Sequence, residues 1–395
     1  MECEAIMKRC PLPAILVIAG CLLATVLAAP SWPPSPTDDD CSSLVLHNDG
    51  QVIFGCNYDR VTNDPGLVFI HKRGLVKSWL YPSTTGAYAG WTAKYASVVF
   101  SLVGYQQAWA GMNERGLTFS TMSLPETVSP PPDHRPPLDW LWPQYLLDTC
   151  ETVDDVIATD AFVRTTTVDH YLVADRYGGV AVVEFLDGRM VVHTGPQLCA
   201  SVLTNSVYSN SCATWEFLRS TGNYSHVSDS VQRFCRAADR VAEFSGTTTE
   251  AAVDYAFDTL RAIYSDASYT RWSIVFDTAN LRAYFKTQTA PAIRWVDLSA
   301  FDLRCGRPTI MLDVNTDLEG DASGQFTNYD SGANRALMEG YFQRWEIPYT
   351  EQQLSFVLDH LEGFACTTPS VRRRIPQLGP SLVPPSGLVQ MSPGP

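Results

Sequence analysis

Cys41-Ser42-Ser43-Leu44-Val45-Leu46-His47-Asn48-Asp49-Gly50-Gln51-Val52-Ile53-Phe54-Gly55-Cys56-Asn57-Tyr58-Asp59 reads as two strands and a turn. The β-favouring runs Cys41 to His47 and Gln51 to Asp59 flank Asn48-Asp49-Gly50, where glycine tolerates a positive φ. The expected element is an antiparallel hairpin. With a loop of two or three residues, the cross-strand partner of Cys41 is Tyr58 or Asn57, and either register sets Asp59 beside Cys41 within one residue. A thiol at the start of the first strand and a carboxylate at the end of the second therefore converge at one end of the hairpin.

Upstream, Pro30-Ser31-Trp32-Pro33-Pro34-Ser35-Pro36-Thr37-Asp38-Asp39-Asp40 has too many prolines for a helix or a strand ladder, and its acidic triplet repels itself. Residues 30–40 are read as an exposed spacer or propeptide. Before it, Lys8 and Arg9 precede an apolar run from Leu12 to Ala29, with Val26 and Ala28 placed for a signal-peptidase cut. Residues 1–29 are read as a signal peptide, and the protein as exported, secreted or periplasmic. The alternative is a lipoprotein box at Ile18-Ala19-Gly20-Cys21, which would tether the chain to a membrane until the spacer is cut.

Downstream, short strands are expected at Leu67 to His71, Ser97 to Leu102, Leu117 to Thr121, His170 to Ala174, Val180 to Phe185, Met190 to His193 and Ser201 to Thr204. Helical patterns cover Trp140 to Thr149, Val153 to Ile157, Asn210 to Ser220, Ser230 to Phe244, Thr249 to Ile263 and Asn334 to Trp345. Strands in groups and helices in blocks indicate an α+β layered domain over 41–366. The Pro-rich Ser129 to Pro137 is a rigid loop, and residues 367–395 read as a disordered Pro-rich tail.

A net charge of -14 argues against nucleic acid as a partner, because an acidic surface repels polyanions. Of eleven cysteines, three fall in the signal segment, and the rest show no metal-ligand spacing. Most of the remaining eight are expected to be buried thiols. No metal or cofactor is called for. His170 and His193, in strand patterns, read as structural, and the aromatics Trp140, Trp142 and Tyr145 as core.

A cysteine at a newly made N-terminus carries its own base. An α-amine with a pKa near ~8 takes the proton of a thiol with a pKa near ~8.5, and the thiolate then attacks a carbonyl to form a thioester. Four ordered stretches resemble the choloylglycine hydrolase and penicillin V acylase family, the linear amide C–N hydrolases of N-terminal nucleophile type. They are Cys41-Ser42-Ser43 with Phe54 to Asp59; Trp91-Thr92-Ala93-Lys94-Tyr95 with Gly111-Met112-Asn113-Glu114-Arg115-Gly116-Leu117; Leu203-Thr204-Asn205-Ser206; and Arg233-Phe234 with Thr270-Arg271-Trp272-Ser273.

The resemblance implies a four-layer αββα sandwich with two stacked antiparallel sheets. By the same resemblance, Cys41 is the nucleophile, Asp59 the carboxylate that holds its proton state, Asn205 an oxyanion donor and Arg233 the organising cation. Removal of everything before Cys41 is implied with them. The substrates within the family's reach are amides with an apolar acyl half: conjugated bile salts, penicillin V or N-acyl homoserine lactones. Relatives often form tetramers, so a homo-oligomer is in view. Two positions depart from the pattern. Cys56 stands where most relatives carry an arginine, and Ser123 where bile salt hydrolases carry an oxyanion-hole asparagine. An acyltransferase on the same fold and a catalytically silent ligand-binding homologue are the competing readings; a disulfide between Cys56 and Cys41 would silence the nucleophile.

Overall fold

The hairpin turn closes as a two-residue loop. Strands Ser42–Asn48 and Gln51–Asp59 pair with Asn48 opposite Gln51, Ser43 opposite Cys56 and Ser42 opposite Asn57. Cys41 thus stands level with Tyr58, one of the two registers the sequence allowed. Gly50 holds a φ of +84°, which a residue with a Cβ rarely adopts. The computed structural model describes residues 40–48, 50–60, 65–265 and 269–366. The expected signal peptide, all of the spacer except Asp40, and the expected tail lie outside the described residues.

The hairpin supplies the second and third strands of a seven-stranded sheet in the order Val202–Leu203, Ser42–Asn48, Gln51–Asp59, Thr270–Asp277, Arg282–Thr287, Arg294–Asp297, Gly320–Asp321. All its pairings are antiparallel except the last. A nine-stranded antiparallel sheet runs Arg189–Thr194, Val180–Leu186, Asp169–Ala174, Thr118–Ser123, Ala110–Asn113, Ser97–Ser101, Leu67–His71, Ile310–Asp313, Thr327–Asn328. A small third sheet joins Ala365–Cys366, Leu75–Pro82 and Tyr88–Thr92.

The two large sheets stack through side chains that alternate inward. Phe100 of the nine-stranded sheet meets Phe276 and Phe285 of the seven-stranded one at centroid distances of 5.9 and 5.2 Å, tilted edge to face. Helices Tyr208–Leu218, Asp229–Glu243 and Thr249–Ala262 form the layer outside the seven-stranded sheet. Trp142–Thr149, Ser331–Arg344 and Glu351–Glu362 contribute to a second core on the far side of the nine-stranded sheet. The α+β fold with stacked antiparallel sheets is the one expected. Trp142 is fully buried against Tyr171 and Phe185, so it is core; Trp140 and Tyr145 pack at the edge of that core against Trp79 and Trp91.

Gly55 sets the spacing of the helix layer where it matters for the site. A Cβ there would meet Leu260 Cδ1 at 3.3 Å, so the glycine lets Thr249–Ala262 lie close over Gln51–Asp59. Close approach lets Asn57 Nδ2 donate to the carbonyl of Leu260 at 2.9 Å.

The expectation of mostly unpaired thiols is corrected for half of the eight cysteines. Cys199 bonds Cys212 and Cys305 bonds Cys366. Cys41, Cys56, Cys150 and Cys235 are buried thiols, so Cys41 and Cys56 are not joined to each other. The loose spacing concealed the pairs because each disulfide links segments that meet only in the fold. The first staples the loop before Val202 to the helix Tyr208–Leu218 and so closes the 13-residue span that carries Asn205. Closing a loop of that size contributes about 3 kcal/mol by restricting the unfolded chain.

Candidate active site

The site lies at the end of the seven-stranded sheet, where the hairpin opens and the helix Asp229–Glu243 crosses it. On that helix Arg233 is fully buried. Its Nε donates to Asp229 Oδ2 at 2.7 Å, one helical turn back on the same face. Nη1 donates to the carbonyl of Cys41 at 2.8 Å and to Ser42 Oγ at 2.7 Å. Nη2 donates to Asp40 Oδ1 at 3.2 Å and to Asn205 Oδ1 at 3.3 Å. A planar guanidinium with fixed donors is the one side chain that reaches five such acceptors at once.

Asn205 follows the short strand Val202–Leu203. Arg233 holds its carbonyl oxygen, and its Nδ2 donates to the carbonyl of Ser123 at 2.9 Å. The carboxamide is therefore fixed at both ends, and Nδ2 carries a second N–H. Ser123, at the end of strand Thr118–Ser123, orients Asn205 through its backbone oxygen.

Asp59 ends the second hairpin strand, fully buried. Thr270, its partner on the neighbouring strand, donates Oγ1 to Asp59 Oδ1. Asp59 Oδ2 is buried with no hydrogen-bond partner among the described residues. Burial pushes the carboxyl up to about 7; Arg233 and the Thr270 hydroxyl pull it down, and the carboxylates of Asp40 and Asp229 push it up. Cys56, opposite Ser43, is buried and its thiol is pushed far up, first by burial and then by Asp59. A neutral thiol, not a cation, stands at that position.

The raised carboxyl has a consequence for stability. Between the ordinary aspartate pKa near ~4 and about 7 the folded chain binds a proton that the unfolded chain does not, so stability falls as pH rises through this window. A proton affinity raised about a thousandfold by folding corresponds to a loss on the order of 4 kcal/mol. In a chain that retains Asp40, Asp59→Asn should flatten the change in urea midpoint between pH 4.5 and pH 8. An unchanged slope would show that Asp59 is ionised throughout.

Cys41 is 2% exposed while still joined to Asp40. Side chains at Cys41 and Ser43 share the face that looks into the sandwich, since Ser43 Oγ reaches Met122 Sδ of the opposite sheet at 3.5 Å. Beside Cys41, Tyr58 packs on Trp109 and Trp272, each at 5.2 Å between centroids, forming an apolar aromatic wall. Asp40 itself is held in place: Ser265 Oγ donates to its Oδ2 at 2.7 Å while Arg233 holds Oδ1.

The fold brings Cys41, Asp59, Asn205, Arg233 and Ser123 to one place. Trp91 goes elsewhere, donating Nε1 to Asp148 at 2.7 Å in the other core, and Tyr95 meets Glu151. His170 and His193 both contact Glu184, whose carboxylate also accepts the backbone N–H of Tyr208 at 2.9 Å; they are structural, as expected. Sequence reasoning missed Asp40, Ser42, Asp229, Ser265 and Thr270. Asp229 carried a readable signal, four residues before Arg233 on one helix face. Thr270 stood in a stretch quoted for the resemblance but was given no role, and Ser265 carried no signal, because only tertiary packing brings it near.

A profile of the family described as acyl-coenzyme A:6-aminopenicillanic acid acyl-transferase matches residues 47–289, more than half of the chain. The penicillin V acylase of Pectobacterium atrosepticum is 27% identical over 310 residues, covering 63% of this chain and 81% of that protein. Among solved structures, the penicillin V acylase from Agrobacterium tumefaciens superposes with a TM-score of 0.64 at 24% identity, covering 73% of this chain and 98% of that one. A mutant conjugated bile acid hydrolase from Clostridium perfringens does so with a TM-score of 0.55 at 16% identity, covering 71% and 98%. The chain belongs to the acyl-coenzyme A:6-aminopenicillanic acid acyl-transferase family, in the choloylglycine hydrolase and penicillin V acylase group of N-terminal nucleophile folds.

Proposed function

We propose that this protein is an exported hydrolase of linear amides that works through a thioester on Cys41, after its own thiol has cut the Asp40–Cys41 bond. The observation that carries the reading is the reach of one side chain. Arg233 binds the residues on both sides of that bond and also orients the amide of Asn205.

In maturation the Cys41 sulfur attacks the Asp40 carbonyl carbon, the C–N bond breaks, and the nitrogen takes a proton to become the α-amine. Water then hydrolyses the thioester, leaving an Asp40 carboxylic acid and a restored thiol. Loss of Asp40 takes a like charge from beside Asp59, and the new amine brings a positive one. Both changes lower the Asp59 pKa and favour the carboxylate. Its buried Oδ2, unpartnered among the described residues, is then suited to accept from the amine. On a substrate the amine serves as base, the thiolate attacks, and Asn205 Nδ2 supports the oxyanion, a contribution of about 3 kcal/mol where one such donor has been removed elsewhere.

The substrate class is that suggested by the relatives' names: an amide such as penicillin V or a conjugated bile acid. The wall of Tyr58, Trp109 and Trp272 supports an apolar acyl half. The two disulfides support an oxidising destination, as for secreted proteins. A second reading, acyl transfer to an amine, rests on the description of the matching family. Incubating the matured protein with an N-acyl arylamide, with and without a primary amine, separates them. Hydrolysis predicts release of arylamine and free acid in equal amounts, unaffected by the amine. A new amide in place of the acid would establish transfer, and no arylamine at all would leave the silent homologue.

A further inference from the structure

We infer that Arg233 and Ser265 form a carboxylate subsite on the acyl side of the scissile bond, and that the protein prefers acyl groups carrying a carboxylate two carbons beyond the reacting carbonyl. The inference rests on the self-cleaving hydrolase reading and adds a substrate feature to it.

Before cleavage the site is occupied by the chain itself. Asp40 supplies the carbonyl that Cys41 attacks, so in maturation Asp40 is the acyl group. Its thioester on Cys41 has the same bond, on the same sulfur, as any later acyl-enzyme, and water must resolve both. A side chain seated well in the first therefore shows where a substituent sits in the second. The Asp40 carboxylate is seated by two donors from different elements: Arg233 Nη2 at 3.2 Å on Oδ1 and Ser265 Oγ at 2.7 Å on Oδ2. Arg233 is fully buried while Asp40 is in place, so cleavage vacates a carboxylate position that a buried guanidinium lines. From the Asp40 carbonyl carbon, Cα and Cβ intervene before the carboxylate, which is the spacing of a 3-carboxypropanoyl group.

Charge points the same way. Before cleavage Arg233 faces the carboxylates of Asp40 and Asp229, with Asp59 close by. Cleavage removes one negative charge and adds an α-amine that is cationic when protonated, so the mature site is more positive by up to two units. A carboxylate on the incoming acyl group restores the balance, and the hydroxyl of Ser265 gives it direction. The apolar wall of Tyr58, Trp109 and Trp272 remains available to the rest of the ligand.

The test compares two anilides of equal shape, 3-carboxypropanoyl anilide and its neutral 3-carbamoylpropanoyl isostere, on matured full-length protein. Calorimetric binding decides the subsite and anilide turnover decides the hydrolase reading, so each can fail alone. The carboxylate is expected to bind ~10-fold more tightly, as two charge-assisted hydrogen bonds allow, and Ser265→Ala should reduce that ratio several-fold. A loss of general packing at Ser265 would weaken both ligands together and leave the ratio in place. Equal binding of the two anilides, or a ratio indifferent to Ser265→Ala, overturns the subsite whether or not either anilide is cleaved. Tight carboxylate binding without cleavage keeps the subsite and overturns the hydrolase.

Discussion

Cys41→Ala should leave a folded protein that keeps the residues before position 41 and has lost amide cleavage by at least ~10³-fold. On the proposed mechanism the thiol is both the group that attacks and the group that cuts its own amide, so one substitution stops both steps. Little else changes, because Cys41 is a small buried side chain and removing its sulfur costs about 1 kcal/mol. Unfolding is therefore not an alternative explanation, and a urea midpoint close to wild type would establish that. Intact mass reads the retained segment, and arylamine release reads the turnover. A Cys41→Ala protein that still begins at residue 41 would mean that another protease makes the cut. One that still cleaves amides would place the nucleophile elsewhere.

Arg233→Met should lower stability and activity together, by different routes. The guanidinium satisfies Asp229, Asp40, the Cys41 carbonyl, Ser42 and Asn205, and losing it leaves all of them short of a donor. The side chains of Asp229 and Asp40 are 49% and 34% exposed, so water replaces part of what they lose. The cost is then about 3 kcal/mol, the low end for removing one partner of a buried pair. Activity falls further, by ~10²-fold or more, because Asn205 loses the contact that fixes the amide proposed to support the oxyanion. Asp59 also loses its main stabilising cation, so its pKa rises and the pH limb that depends on its ionisation moves upward. Arg233→Lys should recover stability better than activity, since an ammonium cannot serve the backbone carbonyl and Asn205 together. Urea titration and a pH–rate profile separate the two effects; equal recovery of both would assign Arg233 a purely structural role.

Legibility in the sequence tracked how locally each feature is determined. The hairpin was readable to within one residue of its register because Asn48-Asp49-Gly50 marks the turn, and the structure selects the two-residue loop. Leu67–His71 was read to its ends. Strand Thr270–Asp277 escaped as a strand because all eight of its residues are buried, between a helix layer and the opposite sheet, and so show no alternation. Leu75–Pro82 does alternate, but an inward Lys77 broke the pattern. That lysine is buried against Asp148 at 2.8 Å, an ion pair invisible until the helix Trp142–Thr149 is packed on the sheet. At the site, Cys41 and Asp59 converge through one hairpin, whereas Asn205 and Arg233 were found only through the resemblance. Ser265 and the clamp on Asp40 needed the fold itself, because 225 residues separate them in the chain.

N-terminal sequencing of protein recovered after export, with labelling by a thiol-reactive acyl probe, decides whether Cys41 becomes an N-terminal nucleophile. A chain that begins at Cys41 and carries the label there is expected. A chain that begins before Cys41 and stays unlabelled would mean that the thiol never gains its α-amine, and the self-cleaving hydrolase would fall with it.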